Sequence, residues 1–247
     1  MLQIKFQKHG RNFKDVCQFF IQAGYHAISP HTITTVRGSV EVDVLVEAPD
    51  ELVKSIICEC KFWNKAVPKE KVHAFRIVVN DSGASLGLLI SKAGFQSGAI
   101  EAAKLSNVKL LTWKYLTELI ENKWIINQLK SIKRESIPIS EYTNPLHFPY
   151  EKLKESDKAE YHKACNMYAP LRWTCWMIAK SDLLKNTVSS NWYEIAQYSS
   201  IESYITFLSN QLVVARDTFK KILDSSGIVL PQERFEKLEG YTYMFLN

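Results

Sequence analysis

The sequence predicts a mixed α/β fold over residues 1–130, followed by a mainly helical fold over residues 150–247. Two observations support this division. Before residue 130, short runs rich in valine, isoleucine and leucine alternate with longer runs of helical periodicity. After residue 150, apolar residues recur at spacings of three and four with few strand signals. The chain has 247 residues, of which 46% are hydrophobic, so two packed cores are within its reach.

The first strand of interest carries two acidic side chains on one face. Residues 39–46 alternate between valine or leucine and polar residues, which is the period of a β-strand with one buried face. The alternation places Glu41 and Asp43 together on the face opposite the valines. We therefore expect both carboxylates to point to the same side of a sheet.

A second strand, at residues 55–61, follows after a turn that contains a proline and an aspartate. Glu59 and Lys61 lie two residues apart, so they share one face of this strand. An antiparallel hairpin is the simplest connection between the two strands, and it would bring Asp43 close to Glu59.

Two carboxylates and one ammonium in close proximity indicate a site for a divalent cation and a phosphate. Burying these charges together costs several kcal/mol unless they are compensated, and a hard cation with oxygen ligands compensates two carboxylates well. The alternative is an ordinary surface hairpin whose glutamate and lysine form a solvated ion pair. The Glu-x-Lys spacing alone does not distinguish the two.

The remaining elements of the first 130 residues follow in a regular order. A helix is predicted before the two strands, and a polar strand precedes the one that carries Asp43. Another helix, a short apolar strand, a glycine and phenylalanine before a helix, and a last strand come after Lys61. In chain order, the first helix is predicted at residues 13–23, the polar strand at 25–36, the second helix at 69–79, the apolar strand at 87–91 and the last strand at 109–112, and the third helix follows Gly94 and Phe95.

This order of elements, with Asp43 and the Glu59-x-Lys61 motif, resembles the PD-(D/E)XK nuclease superfamily over residues 8–125. Within it, the sequence is similar to the catalytic domain of the Mrr-like type IV restriction endonucleases. The resemblance implies a restriction-endonuclease-like fold, in which a mixed central sheet is flanked by helices. Many Mrr-like relatives have a glutamine where this chain has Glu59, the commoner residue in the superfamily. A glutamate that is frequent in the first helix of the family is replaced here by Lys14.

The resemblance also implies an activity and a set of site residues. It implies a magnesium-dependent endonuclease of restriction or anti-phage defence, which hydrolyses DNA to leave a 3′-hydroxyl and a 5′-phosphate. Asp43, Glu59 and the backbone carbonyl of Cys60 would bind Mg²⁺, for which Mn²⁺ could substitute. Lys61 would orient the attacking water or help to deprotonate it. Glu41 would either serve a second metal ion about 4 Å from the first or face solvent.

The distribution of charge agrees with a nucleic-acid partner, which we expect to be double-stranded DNA. The net charge is +5, and residues 1–130 hold 17 basic and 12 acidic side chains, while the remainder holds 14 of each. A soluble domain without a polyanionic partner can have the same surplus. The candidate phosphate contacts, each of which could also be a solvated charge, are Lys8, Arg11, Arg37, Lys65, Lys69, Lys71 and Lys92.

Other classes of function find no support in the sequence. No apolar run approaches the roughly 20 residues that span a bilayer, and no secretory signal is recognisable, so we expect a cytoplasmic protein. The five cysteines are odd in number and lack zinc-finger spacing, which favours reduced thiols. No phosphate-binding loop or nucleophile elbow is present.

The predicted domain organisation is a catalytic domain at residues 1–130, a linker at 131–149 and a helical domain at 150–247. Pro138 and Pro145 lie in the linker segment, and they indicate irregular structure. The helical domain resembles no family, and we expect it to mediate homo-oligomerisation or the recognition of substrate or a protein partner. Two alternatives to a nuclease stay open: a catalytically inactive DNA-binding module of nuclease fold, and a protein-interaction factor that acts through the helical domain.

Overall fold

A computed structural model describes residues 13–47, 53–146, 148–178, 183 and 198–231 of the chain. The chain divides into two compact units, with the boundary between Asn127 and Gln128. The first unit is mixed α/β and the second is helical. The fold class predicted from the sequence is thus confirmed.

The first unit is built around a mixed sheet of five strands in the order β1-β4-β5-β6-β7, and β2 and β3 form a separate hairpin. Strands β1, β4 and β5 are antiparallel neighbours, whereas β5, β6 and β7 run parallel. Helices α2 and α3 provide the crossovers that parallel strands need. The elements are α1 (Phe13–Gln22), β1 (His26–Ile28), β2 (His31–Thr35), β3 (Gly38–Val42), β4 (Val44–Glu47), β5 (Ser55–Lys61), α2 (Lys69–Ser82), β6 (Leu86–Ser91), α3 (Ser97–Ala103) and β7 (Val108–Thr112).

Helix α2 supplies much of the core on its side of the sheet. Val72, Phe75 and Val79 recur at spacings of three and four, so they lie on one helix face, and all three are buried. They pack against Ile57 of β5 and Leu89 of β6. Burying each of these side chains is worth about 1.5–3 kcal/mol, so the α2 face holds β5 and β6 firmly in place.

Two of the predicted strands are each divided in the structure. The segment 25–36, which we predicted as one strand, forms β1 and β2 with a break at Ser29 and Pro30. Proline has no backbone N–H to donate, so it interrupts a strand ladder. The segment 39–46, also predicted as one strand, forms β3 and β4 with Asp43 between them. These two strands pair with different partners, so the chain passes from the hairpin to the main sheet at Asp43.

The linker predicted at residues 131–149 is largely helical, because α4 (Trp113–Tyr142) continues through Pro138 to Tyr142. Ile132 and Ile139 on this segment are fully buried, and their burial offsets the hydrogen bond that the proline cannot make. The prediction from Pro138 and Pro145 therefore made the irregular region too long. The boundary of the compact units falls within α4.

The second unit contains the rest of α4, a short 3-10 turn (Tyr150–Lys152), α5 (Glu155–Met177) and α6 (Ile201–Ser226). Helices α5 and α6 pack together. Ser200 caps α6, since its hydroxyl accepts the N–H of Ser203. The helical character that we predicted for this part of the chain is confirmed within the described residues, and its role stays a prediction.

None of the helices in the described ranges combines the length and the hydropathy needed to cross a lipid bilayer.

Candidate active site

Asp43 is held by both its side chain and its backbone at the point where the chain enters the main sheet. Val44 pairs with Cys58 in the antiparallel register of β4 and β5, so Asp43 falls opposite Glu59. The Oδ2 atom of Asp43 accepts the backbone N–H of Cys60 at 2.6 Å. The hydroxyl of Ser29 donates to the carbonyl oxygen of Asp43 at 2.7 Å. Asp43 is therefore fixed beside the last residues of β5.

Glu59 and Lys61 lie together on one face of β5, as their spacing predicted. The Lys61 ammonium forms an ion pair with Oε1 of Glu59. The side chain of Glu59 is only 26% exposed and that of Lys61 only 19%, so water screens this pair less than it screens a surface pair. The structure thus brings Asp43, Glu59 and Lys61 to one end of two adjacent strands.

The backbone N–H and carbonyl of Cys60 both face β4, which is the side of β5 on which Asp43 lies. The N–H of Lys92 donates to the carbonyl oxygen of Lys61 at 3.1 Å, so Lys61 hydrogen-bonds on the β6 side. Neighbouring residues of a strand direct their backbone groups to opposite sides, which turns the N–H and C=O of Cys60 toward β4. The hydrogen bond from the Cys60 N–H to Asp43 agrees with this direction.

The thiols of this strand are poor candidates for metal ligands. Burial raises the pKa of the Cys60 thiol, and it does the same for Cys58. A thiol with a raised pKa stays protonated at neutral pH, whereas a metal binds the thiolate. The ligand that the resemblance implies at Cys60 is its carbonyl oxygen, and this role stays a prediction.

The donor set fits magnesium. Asp43, Glu59 and Cys60 offer two carboxylates and one carbonyl, all hard oxygen donors. Among the described residues, the second carboxylate oxygen of Asp43 and of Glu59 accepts no protein hydrogen bond. Magnesium is usually held by one or two carboxylates, with water and substrate phosphate as its other ligands, so a larger cage of side chains is not required.

Glu41 does not join these two carboxylates. It is exposed on β3, where it pairs with Thr32 of the hairpin. Across the described ranges, no three His, Cys, Asp or Glu side chains are grouped so that they could hold a metal ion. Of the two expectations for Glu41, its position agrees with the one in which it faces solvent.

Four of the predicted phosphate contacts lie around one end of the main sheet, which we call the carboxyl edge. It consists of the residues that directly follow β5 and β6, together with the first turn of α2. The loops join here, since the N–H of Val67 donates to the Gly94 carbonyl at 3.0 Å and Nζ of Lys92 donates to Asn64 at 3.0 Å. The exposed lysines of the carboxyl edge are Lys65, Lys69, Lys71 and Lys92.

The other predicted phosphate contacts are not part of this group. Arg37, at the tip of the β2-β3 hairpin, pairs with Asp81 at 2.9 Å. Asp81 is twelve residues after Lys69 in α2, which places it about 18 Å further along the helix axis. Lys8 and Arg11 lie outside the described residues.

Trp63 belongs to the site, although the sequence argument did not single it out. The Lys61 ammonium lies 5.5 Å from the centroid of the Trp63 ring and that of Lys71 lies 6.0 Å from it. The Trp63 side chain is 40% exposed. The available signal was a tryptophan only two residues after the lysine of the Glu-x-Lys motif, in a loop rather than a core-facing strand.

Two carboxylates and a lysine at the end of adjacent strands, in a mixed sheet flanked by helices, define a domain of restriction-endonuclease-like fold. The family model for restriction endonucleases of the Mrr catalytic type matches residues 7–120, so the resemblance of this segment to the Mrr-type catalytic domain is confirmed. The domain is thus of nuclease type.

Two other comparisons add little. A crystal structure of AF1548, a protein of unknown function, aligns with a TM-score of 0.39 at 14% sequence identity. The alignment covers 87% of this chain and 97% of that one. No curated protein matches the chain significantly.

Proposed function

We propose that the protein is a magnesium-dependent endonuclease that hydrolyses phosphodiester bonds of double-stranded DNA, in restriction or another form of anti-phage defence. The observation that supports this most is the fixed position of Asp43, whose carboxylate accepts the Cys60 N–H directly opposite Glu59. The family match of residues 7–120 supports the same chemistry.

Each group at the site has a role in this proposal. Asp43, Glu59 and the carbonyl of Cys60 would hold one magnesium ion, which would polarise the scissile phosphate and make a nearby water more acidic. The Lys61 ammonium would offset the negative charge that develops on the phosphoryl oxygens in the transition state. The same ammonium, which forms an ion pair with Glu59, would also orient the attacking water or help to deprotonate it.

The bond changes follow from hydrolysis with the expected products. The oxygen of a water molecule forms a new bond to phosphorus, and the bond from phosphorus to the 3′ oxygen breaks. One proton of that water ends on the 3′ oxygen, directly or through solvent. The products are a 3′-hydroxyl and a 5′-phosphate.

The carboxyl edge would hold the DNA backbone next to these groups. Lys65, Lys69, Lys71 and Lys92 are exposed ammonium groups, and contacts to phosphate fix the position of a duplex without reading its sequence. Binding at this edge would therefore be strong at low salt and indifferent to base sequence.

The proposal is tested by conservative substitution of the three central side chains. Asp43→Asn, Glu59→Gln and Lys61→Met should each lower the rate of plasmid cleavage by at least about 100-fold, because each removes a charge that acts in the transition state. Cleavage is followed on methylated and unmethylated plasmid with Mg²⁺, Mn²⁺ or chelator, and circular dichroism verifies that each variant folds.

Glu41→Gln is the matched control, since it removes an acid two residues from Asp43 that faces solvent. It should cleave within about twofold of the wild-type rate. Wild-type rates in all three central variants would contradict the proposal. Salt-sensitive DNA binding by the wild type, with no products in any metal, would instead select the inactive DNA-binding module.

A further inference from the structure

The indole ring of Trp63 contacts Lys61, the lysine that has a role in the proposed chemical step. Trp63 follows β5, and the Lys61 ammonium lies 5.5 Å from its ring centroid, which is within the range of a cation-π interaction. Lys61 has a long side chain with many rotamers, so its ammonium stays in place only if its partners hold it there. The two partners of this ammonium in the described part of the chain are the Glu59 carboxylate and the Trp63 ring.

The two partners differ in what happens when substrate and cation bind. Glu59 is also a proposed ligand of the cation, so cation binding would neutralise much of its charge and weaken its attraction for the ammonium. The attraction of an aromatic face for a cation comes from the ring quadrupole, and it does not depend on the charge of Glu59. The ring is therefore the partner that persists.

The loop that carries Trp63 is held on both sides. The N–H of Lys92 donates to the Lys61 carbonyl just before it, and Nζ of Lys92 donates to Asn64 just after it. The N–H of Val67 continues the pairing by donating to the Gly94 carbonyl at 3.0 Å. The two backbone bonds, at Lys61 and at Val67, hold the backbone on either side of Trp63.

We propose that Trp63 is a positioning residue that keeps the Lys61 ammonium at the scissile phosphate when the Glu59 carboxylate turns to the cation. The inference deepens the proposed nuclease function and rests on it. Lys71 shares the ring at 6.0 Å, but its side chain is exposed on the first turn of α2. Lys71 therefore belongs to DNA binding, and Lys61 belongs to the chemical step.

The contact is tested first without any catalysis. In protein labelled with ¹³C at the ε carbon of lysine, the ring current of Trp63 should shift the Lys61 signal upfield, and absence of the signal from Lys61→Met assigns it. The upfield shift should persist in Glu59→Gln and on addition of Ca²⁺ to the wild type. It should be lost in Trp63→Leu. If that variant does not fold, Trp63→Gln takes its place, with the same expected loss.

The kinetic consequence is a loss of rate without a loss of DNA binding. Trp63→Leu should lower the single-turnover cleavage rate by between about three- and thirtyfold, while its affinity for duplex DNA in Ca²⁺ stays within about twofold of the wild type. Trp63→Phe keeps an aromatic face and should recover most of the rate. Lys71→Ala should instead weaken the binding of duplex DNA in Ca²⁺.

Trp173→Leu is the matched control, because this exposed tryptophan on α5 also has a cation over its ring, the Arg172 guanidinium at 4.7 Å. It should leave the Lys61 signal and the single-turnover rate unchanged. An unmoved Lys61 signal in Trp63→Leu, or a rate loss matched by an equal loss of affinity, would overturn the inference. A wild type that cleaves no DNA in any divalent metal would overturn the nuclease function, and the positioning role would fall with it. The NMR signal of Lys61 tests the contact with Trp63 independently of cleavage, so the two failures can be told apart.

Discussion

Asp43 is the single residue in the bend between β3 and β4, and this position determines what its carboxylate contacts. A strand residue at this position would direct its side chain perpendicular to the sheet. From the bend, the carboxylate instead reaches the backbone N–H of Cys60 at 2.6 Å. The predicted proximity to Glu59 is present, although the alternation from which we predicted it ends at this residue.

Asp157 shows how a single carboxylate responds to its partners in the helical unit. It lies in the first turn of α5 and accepts a hydrogen bond from the Ser226 hydroxyl at 2.7 Å. This hydrogen bond lowers the pKa of Asp157 below its ordinary value of 3.8, and burial of the carboxyl opposes the effect in part. A lowered pKa means that folding favours the charged form.

The stability that Asp157 contributes should therefore depend on pH in the acidic range. The contribution is fully present above the unfolded pKa, near 3.8, and is lost as the pH falls through the lower pKa of the folded state. Asp157→Asn should lower the melting temperature at pH 7, and the difference from the wild type should shrink as the pH falls below 3.8. Differential scanning calorimetry at a series of pH values measures this difference.

Asp217→Asn is the control for that series, because Asp217 is an exposed aspartate on α6. It should leave the melting temperature nearly unchanged at every pH. An equal effect of both substitutions would show that net charge, and not the hydrogen bond from Ser226, accounts for the change.

At the scale of elements, the approach of β6 to α2 depends on the absence of a side chain at Gly87. A Cβ atom built at Gly87 would lie 2.4 Å from Cγ2 of Val79 and 2.9 Å from Cε1 of Phe75. Both neighbours are buried in the core of the first unit, so neither can move away easily.

Gly87→Ala should thus destabilise the protein by about 1–3 kcal/mol, because the extra methyl group overpacks the core between α2 and β6. Urea denaturation followed by circular dichroism measures the change in the free energy of unfolding. An unchanged midpoint would mean that α2 lies further from the sheet than described.

Gly98→Ala is the matched substitution on α3. A Cβ atom there would lie 3.6 Å from Cδ of Lys69, which is an ordinary contact. Alanine also restricts the unfolded chain more than glycine does, so this variant should be more stable by about 0.5 kcal/mol. The opposite signs of the two substitutions separate local packing from a general sensitivity to glycine replacement.

At the scale of the whole molecule, the basic side chains matter through their distribution more than through the net charge of +5. The exposed lysines of the carboxyl edge lie around the site, whereas Arg37 is paired with Asp81 at the other end of α2. We expect DNA binding to depend on these lysines and not on Arg37.

Lys69→Ala or Lys92→Ala should each reduce the slope of log Kd against log salt concentration by about 0.9, as expected when one contact to duplex phosphate is lost. Arg37→Ala should leave both the slope and the affinity nearly unchanged. Fluorescence anisotropy with a labelled duplex at several salt concentrations provides both quantities. Equal slopes for the lysine variants and the wild type would exclude the carboxyl edge as the DNA-binding surface.

Homo-oligomerisation through the helical unit stays a prediction at this scale. Cutting both strands of a duplex generally needs two active sites, so we expect the full chain to form at least a dimer. Light scattering coupled to size-exclusion chromatography of the full chain measures this directly, and a monomer at every concentration would contradict it.

The sequence alone was enough to predict α1, α2, β5, β6 and β7 in their order and the shared face of Glu59 and Lys61, because periodicities of 2 and 3.6 depend only on local residues. The antiparallel pairing of β4 with β5 was also predictable, since a turn between two such segments predicts a hairpin.

Other features depend on residues far apart in the chain, and only the folded structure shows them. The change of sheet at Asp43 follows from the separate partners of β3 and β4, and the helical path through Pro138 follows from burial of the α4 isoleucines. The approach of Trp63 to Lys61 depends on a loop that Lys92 holds from the next strand. Local patterns cannot specify such contacts, because their free energy comes from partners that only the folded chain brings together.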